Sequence, residues 1–266
     1  MQDKKHNKKD FMSKPPLSPR PTQDEQLLAA PYEAEESFTQ TDTWRVFRIM
    51  GEFVAGFDTL AGLGPAVTIF GSARTKPDSP QFQQAVETAR LLGEAGFGII
   101  TGGGPGIMQA GNRGARLAGA PSIGLNIELP FEQHLNPDVD LSVDFHYFFV
   151  RKTMLVKYAQ AFVIFPGGFG TMDELFEAIT LIQTGKIRNF PVVLFDSAYW
   201  QGLLDWVRNT LLAEGKIAPA DLDLLMVADS PEEVRDMIVQ AMGEPHTRTE
   251  QEAEAREATR QAFVSG

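Results

Sequence analysis

The chain has 266 residues, enough for one α/β domain with a full core plus tails, or for two small domains. It contains no cysteine, which excludes disulfides, thiolate metal sites and cysteine nucleophiles. Its formal net charge of −11 argues against a protein that coats nucleic acid, whose footprint would be basic.

In chain order, residues 1–40 are rich in Lys, Pro, Gln and Glu, basic up to Arg20 and acidic from Asp24, and predict a disordered arm. No hydrophobic stretch follows the early lysines and no apolar run reaches membrane-spanning length, so the expectation is a cytoplasmic protein with no membrane partner. From Thr43, apolar Val46, Met50, Phe53, Phe57 and Leu60 recur at helical spacing, widened by Phe47 and Val54. This helix precedes the first strand and is expected to pack on the domain or on a partner subunit. Residues 65–70 (PAVTIF) predict a buried strand ending in Gly71-Ser72-Ala73-Arg74. A helix near 80–95 follows, with Phe82, Val86, Ala89 and Leu92 facing inward. Residues 96–100 predict a second strand running into Thr101-Gly102-Gly103-Gly104-Pro105-Gly106, then a Gly- and Ala-rich helix through about Ala118. SIGLNI (122–127) predicts a third strand, and Glu128 to Asp140 an irregular segment. The aromatic run 143–149 (VDFHYFF) predicts a fourth strand, after which Arg151-Lys152 are placed at the opening of a helix. AFVIF (161–165) predicts a fifth strand that stops at Pro166-Gly167-Gly168, and a helical pattern starts at Thr171 with Leu175, Ile179 and Ile182 on one side. NFPVVLF (189–195) and LLMVA (224–228) complete the strands. Helices are expected around Trp200 to Leu211 and over Pro231–Met242, and residues 243–266 form a polar tail.

Strands and helices alternating over about two hundred residues, with near-continuous apolar strands, define the α/β class. The expected fold is a Rossmann-like doubly wound parallel sheet, a single domain over 41–242 with an extra N-terminal helix. Ligands in such folds sit outside the carboxyl ends of the strands at a topological switch point. Both glycine-rich turns, at 102–106 and 167–170, follow strands and so fall on that edge. A strand, a glycine turn and a helix N-terminus gather free N–H groups and the positive end of a helix dipole at one point, which suits phosphate.

Other chemistries find no support. The spacing of TGGGPG fails the dinucleotide fingerprint, because its third glycine would fall at Ile107. There is no Walker A, G-x-S-x-G elbow or H-E-x-x-H pair, and the four histidines are scattered, so no metal is expected. Thr171-Met172-Asp173-Glu174 has the form of a helix capping box, T-x-x-E. A cap alone does not require the Pro-Gly-Gly-x-Gly ahead of it, which favours a ligand-binding role for the segment.

Pro166-Gly167-Gly168-Phe169-Gly170-Thr171-Met172-Asp173-Glu174 resembles the P-G-G-x-G-T-x-x-E signature of the LOG family, the cytokinin riboside 5′-monophosphate phosphoribohydrolases long mislabelled as lysine decarboxylases. Gly71-Ser72, Gly102 to Met108 and Arg151-Lys152 match the family's other blocks in order, over roughly residues 65–230. The long N-terminal part resembles the longer bacterial branch, and Thr153-Met154 stand where compact members often carry Ala-Glu. The resemblance implies a Rossmann-like homodimer or higher homo-oligomer that hydrolyses the N-glycosidic bond of a nucleoside 5′-monophosphate without a cofactor. It implies that Gly167, Gly168, Gly170 and Thr171 hold the phosphate, that Arg151 and Glu174 are the catalytic pair, and that Glu132 and Thr180 contact substrate. The matching blocks add Ser72, Gly103, Gly104, Met108, Lys152 and Asp173 to the substrate-binding set. The alternative from another class is a non-catalytic carrier of a phosphorylated ligand, such as a molybdenum-cofactor carrier. A decarboxylase would need a pyridoxal-phosphate lysine segment, which the chain lacks.

Overall fold

The computed structural model describes residues 21–29, 41–129 and 135–242. Among them are seven strands: β1 (Ala66–Phe70), β2 (Gly98–Thr101), β3 (Ser122–Ile127), β4 (Leu141–Phe145), β5 (Ala161–Ile164), β6 (Val192–Phe195) and β7 (Met226–Ala228). All neighbouring pairs run parallel, in the order β4-β3-β2-β1-β5-β6-β7. The order reverses between β1 and β5, which pair from Val67–Ala161 to Phe70–Ile164. A cleft therefore opens at the carboxyl ends of these two strands.

Side-chain alternation along the strands divides the core in two. Ala66 and Phe70 of β1 join Phe162 and Ile164 of β5 on one face, under α2 (Asp42–Leu60), α5 (Phe148–Lys157), α6 (Phe169–Gln183) and α7 (Ser197–Trp206). Val67 and Ile69 join Val163 and Val193 on the other, under α3 (Pro80–Glu94), α4 (Ile107–Leu117) and α8 (Pro231–Met242). Thr68, fully buried, donates its hydroxyl to the Leu155 carbonyl at 3.1 Å, so no polar atom is stranded under α5. A π-helical turn over Val207–Leu212 extends α7, and a 3-10 helix over Pro219–Leu224 leads into β7.

The helix pair α3 and α4 packs closely because Gly114 carries no side chain. A Cβ there would strike the Val86 carbonyl oxygen and come within 2.6 Å of the Ala89 Cβ and 2.9 Å of the Arg90 backbone nitrogen. Backbone cannot retreat as a flexible side-chain end can. Gly114→Ala is therefore expected to destabilise the fold by roughly 2–4 kcal/mol, read as an earlier urea unfolding midpoint, despite alanine's better helix propensity.

The structure differs from the sequence reading in four places. The expected strand 143–149 ends at Phe145, and Phe148 and Phe149 open α5 with their rings substantially exposed. Val150, Met154 and Leu155 are buried at helical spacing, and that packing overrides the β propensity of the aromatic run. Arg151 and Lys152 consequently lie in the fourth and fifth positions of the helix rather than at its opening. The strand expected from 189 begins at Val192, because Asn189 adopts a left-handed conformation (φ 47°) and Pro191 has no N–H for the ladder. Lastly, residues 21–29, expected within the arm, contain a short helix, α1 (Gln23–Leu27), with a Thr22/Glu25 capping box. The rest of the expected arm, residues 1–20 and 30–40, and the tail after Met242 lie outside the described residues.

Helix α2 fits its expected place before β1. Leu60 is buried in the core, and Gly56 faces α5, where a Cβ would come 2.9 Å from the Met154 Cε. Nearer its start, the helix leaves Val46, Phe47, Met50 and Val54 exposed, so only part of the expected apolar stripe is covered. Among the described residues, no helix is long and apolar enough to cross a membrane.

Candidate active site

The turns after β1, β2 and β5 are tied together through one residue. The Ser72 N–H donates to the Pro166 carbonyl at 3.0 Å, and the Ser72 carbonyl accepts from the Ile107 N–H at 3.1 Å. Gly106, at φ 67°, allows this approach, since a Cβ there would collide with the Ser72 oxygen. The cleft between the turns has a volume of about 670 Å³. Of the residues expected in the site, Ser72, Met108, Arg151, Gly167, Gly168, Gly170, Thr171, Asp173 and Glu174 line it.

The fifth strand's turn has the form of an anion cradle. Helix α6 begins at Phe169 with Gly168 as N-cap and no side-chain cap, so the T-x-x-E capping box is not made. Thr171 sits inside the first turn, its N–H bonded to the Gly168 carbonyl at 3.0 Å and its side chain packed where Gly167 lacks a Cβ. Among the described residues, the N–H groups of Gly168, Phe169 and Gly170 have no hydrogen-bond partner. Three free donors at the positive end of a fifteen-residue helix face the cleft region. A Cβ at Gly168 or Gly170 would meet no protein atom within 4 Å, which leaves that side open to a ligand.

Glu174, one turn further along α6, is 7% exposed, and its Oε2 has no hydrogen-bond partner. Burial pushes its carboxyl up to about 7, while Lys152 and Arg151 oppose the rise and Glu177 and Asp173 add to it. Arg151 enters from the other wall. Its Nε donates to the Leu125 carbonyl of β3 at 2.8 Å, and its guanidinium lies over Gly102, where a Cβ would overlap Nη2. Burial pulls the Arg151 pKa down and Glu174 pulls it up; a guanidinium stays charged regardless. A buried, unpaired carboxylate beside a desolvated cation is an arrangement that favours chemistry over stability.

The α5 terminus that carries Arg151 is held by the N-terminal elements. Tyr147 gives no side-chain cap. Instead Asp24 accepts the Phe148 N–H at 3.0 Å, and Glu52 accepts the His146 N–H at 3.1 Å and contacts His146 Nδ1 at 2.6 Å. Burial raises the Asp24 pKa against the Phe148 bond, with Glu52 and Glu128 adding to the rise. Met154 is fully buried against Gly56 of α2, a place that suits an apolar side chain.

Several expected residues lie elsewhere. Gly103 and Gly104 are buried behind the cleft wall in a polar network. Gly103 donates to Thr101 Oγ1 at 3.0 Å and accepts from the Asn136 N–H at 2.9 Å, and the Gly104 carbonyl accepts from Asn136 Nδ2 at 3.0 Å. These glycines shape the second turn and do not line the cleft. Lys152 does not line the cleft itself; it pairs with Asp173 at the cleft's edge at 2.8 Å and with Glu177 at 3.0 Å. Burial opposes its charge, but the surrounding carboxylates outweigh that and raise its pKa. Thr180 shares a shallow depression there with Lys152, its hydroxyl donating to the Phe176 carbonyl at 2.7 Å. Glu132 lies outside the described residues. The sequence reading missed Arg74 and Phe148, which line the cleft. Arg74 closes the Gly71–Arg74 turn that was recognised, so its place was the available signal; Phe148 was hidden by its assignment to a strand. Among the described residues, no cluster of three or more His, Asp or Glu is arranged to hold a metal.

The fold and cleft define a Rossmann-like protein with a glycine turn of free N–H donors at its topological switch and a buried carboxylate in the same cleft. Comparison with known proteins narrows the class: the chain belongs to the LOG family. A family profile described as "Possible lysine decarboxylase" matches residues 108–238. The cytokinin riboside 5′-monophosphate phosphoribohydrolase of Mycobacterium tuberculosis is 31% identical over 159 residues, 57% of this chain and 84% of the relative. The Arabidopsis thaliana enzyme LOG3, of the same name, is 29% identical over 170 residues, 62% of this chain and 76% of the relative. Among solved structures, an X-ray structure of a structural-genomics target aligns with a TM-score of 0.52 at 23% identity, covering 66% of this chain and 99% of that one. The molybdenum cofactor carrier protein of Chlamydomonas reinhardtii aligns at 0.50 and 22%, covering 68% and 99%. These two likenesses show the shared fold alone.

Proposed function

We propose that the chain hydrolyses the N-glycosidic bond of a nucleoside 5′-monophosphate, a cytokinin riboside monophosphate or AMP, releasing the free base and ribose 5-phosphate. The observation that carries this reading is Glu174: a buried carboxylate with an unpartnered oxygen, one helical turn from three free N–H donors. The names of the relatives in M. tuberculosis and A. thaliana agree with it.

In this reading the 5′-phosphate occupies the N–H groups of Gly168, Phe169 and Gly170 and anchors the ribose against Glu174, so binding energy becomes orientation. As the bond from C1′ to the base breaks, positive charge develops on the ribose, and the ionised Glu174 stabilises it. The same carboxylate orients the water that adds to C1′; one of that water's protons stays on the new hydroxyl and the other passes to the departing base. Arg151 holds Glu174 towards its ionised form and steadies the substrate. No cofactor is needed. The same proposal includes a homodimer in the cytoplasm, for which exposed Phe169 and Phe176 beside the cleft offer an apolar contact; light scattering on an eluting column peak gives the mass directly.

Incubation with AMP and with isopentenyladenosine monophosphate, followed by chromatography, is expected to release adenine or isopentenyladenine and ribose 5-phosphate in equal amounts. Absence of base from every nucleotide, together with a pterin that copurifies with the protein, would instead favour the carrier. A carrier has no use for a destabilising orphan carboxylate in its cleft.

A further inference from the structure

One side chain outside the cleft lining touches the anion cradle from a different element. Tyr199, in the first turn of α7, donates its hydroxyl to the Gly167 carbonyl at 2.7 Å. Its placement is unusual in origin. The residue before α7, Asp196, adopts φ 79°, a conformation that costs a non-glycine residue strain and needs its surroundings to hold it. Its backbone and side-chain hydrogen bonds do so. The Asp196 N–H donates to the Ala228 carbonyl at 3.0 Å, its Oδ1 accepts the Tyr199 N–H at 3.2 Å, and its Oδ2 accepts from Gln81 Nε2 at 3.3 Å. The Asp196 carbonyl also accepts the Tyr199 N–H at 3.1 Å. The neighbouring Ser197 N–H is taken by Asp229 Oδ1 at 2.7 Å. The turn after β6 is thus rigid, and it aims the Tyr199 ring across to the turn after β5.

We propose that Tyr199 is a positioning residue for phosphate: by holding the Gly167 carbonyl, it keeps the Gly168 N–H turned into the cleft. In a planar trans peptide the C=O of one residue and the N–H of the next point in opposite directions. A carbonyl tethered to Tyr199, which does not line the cleft, leaves the Gly168 N–H directed away from Tyr199 and towards the anion. The peptide between Gly167 and Gly168 has no Cβ on either side, so little else resists its rotation. Rotated, it would present a carbonyl lone pair to the phosphate in place of a donor. The hydroxyl therefore matters to anion affinity far more than to folding, since Tyr199 is 46% exposed and loss of its hydroxyl strands no buried group.

The inference rests on the anion-cradle part of the proposed function, and its test is separable from hydrolysis. Wild type and Tyr199→Phe are titrated calorimetrically with inorganic phosphate, AMP and adenosine, and both are melted. The variant is expected to bind phosphate and AMP about tenfold more weakly, the size of one charge-assisted hydrogen bond, with adenosine affinity and melting temperature unchanged. Its KM for a nucleotide rises by the same factor while kcat holds. Equal phosphate affinity in the two proteins overturns the inference, as does an equal loss for adenosine, which would mean a general loosening of the cleft. A wild type that binds no phosphate overturns the cradle and Tyr199 together. A wild type that binds AMP tightly but releases no base overturns hydrolysis alone, and the binding ratio still decides Tyr199.

Discussion

Glu174→Gln is expected to abolish turnover, by roughly a thousandfold or more in kcat, while nucleotide affinity changes little. The amide keeps the shape of the carboxyl but cannot carry the charge that stabilises a developing oxocarbenium ion. Phosphate anchoring, which depends on backbone N–H groups, is untouched. The pH dependence follows from the same residue. A carboxyl pushed up to about 7 is largely protonated at pH 6 and ionised at pH 8, so kcat/KM rises with pH through about 7. That limb should vanish with the glutamine.

Stability moves the opposite way. In the unfolded chain the Glu174 carboxyl titrates near 4.5; in the fold it holds its proton to about 7. Folding therefore binds a proton between these values, and the fold loses stability as pH rises through that window. The cost at pH 8 is about 3 kcal/mol, which Glu174→Gln removes. For a chain of this size the variant should melt about 5–10 °C higher than wild type at pH 8 and at nearly the same temperature at pH 4. A variant that is dead, stable and still binds nucleotide identifies a residue kept for chemistry. Retained turnover would return Glu174 to an ordinary buried acid.

Arg151→Ala is expected to lower kcat/KM by roughly a hundredfold or more, as for other preorganised charges facing a reacting centre. Its cation opposes the rise of the Glu174 pKa, so its removal should also move the pH limb to more alkaline values. An unmoved limb would separate Arg151 from Glu174 electrostatically. Arg151→Lys should recover little, because the guanidinium spends Nε on the Leu125 carbonyl while its other end reaches the cleft, and an ammonium cannot do both. Gly102→Ala offers a variant that keeps the charge and displaces it: the new Cβ would occupy the place of Arg151 Nη2 and crowd Met108 Sδ at 2.7 Å. Its kinetic loss should resemble that of Arg151→Ala, with Glu174 ionising at a higher pH in both.

The fold was largely legible along the chain. Buried parallel strands read as short apolar runs, and β1, β2, β3 and β5 lie within two residues of where their composition places them. The aromatic run at 143–149 misled because its local propensity favours a strand, while the packing of Val150, Met154 and Leu155 favours a helix, and burial has the greater weight. The glycine turns were legible because their function lies in backbone geometry, which glycine spacing encodes directly. Thr171 was not: T-x-x-E fits a cap, but Gly168 starts the helix earlier and needs no side chain to do so. Lys152 was paired with the cleft by its neighbour Arg151. On a helix, adjacent residues point about 100° apart, and Lys152 pairs with Asp173 and Glu177 of α6 instead of lining the cleft.

The sequence by itself determined the α/β class, the two glycine turns at one sheet edge and the signature that carries the family. Those are local properties, written in the type and spacing of neighbouring residues. Only the tertiary structure decided which charged groups share the cleft, that Asp24 and Glu52 hold the start of α5, and that Tyr199 reaches Gly167 across 32 positions of chain. It also decided the state of Glu174. A carboxyl's pKa depends on how much water and which charges surround it, and chain segments far apart in sequence supply both.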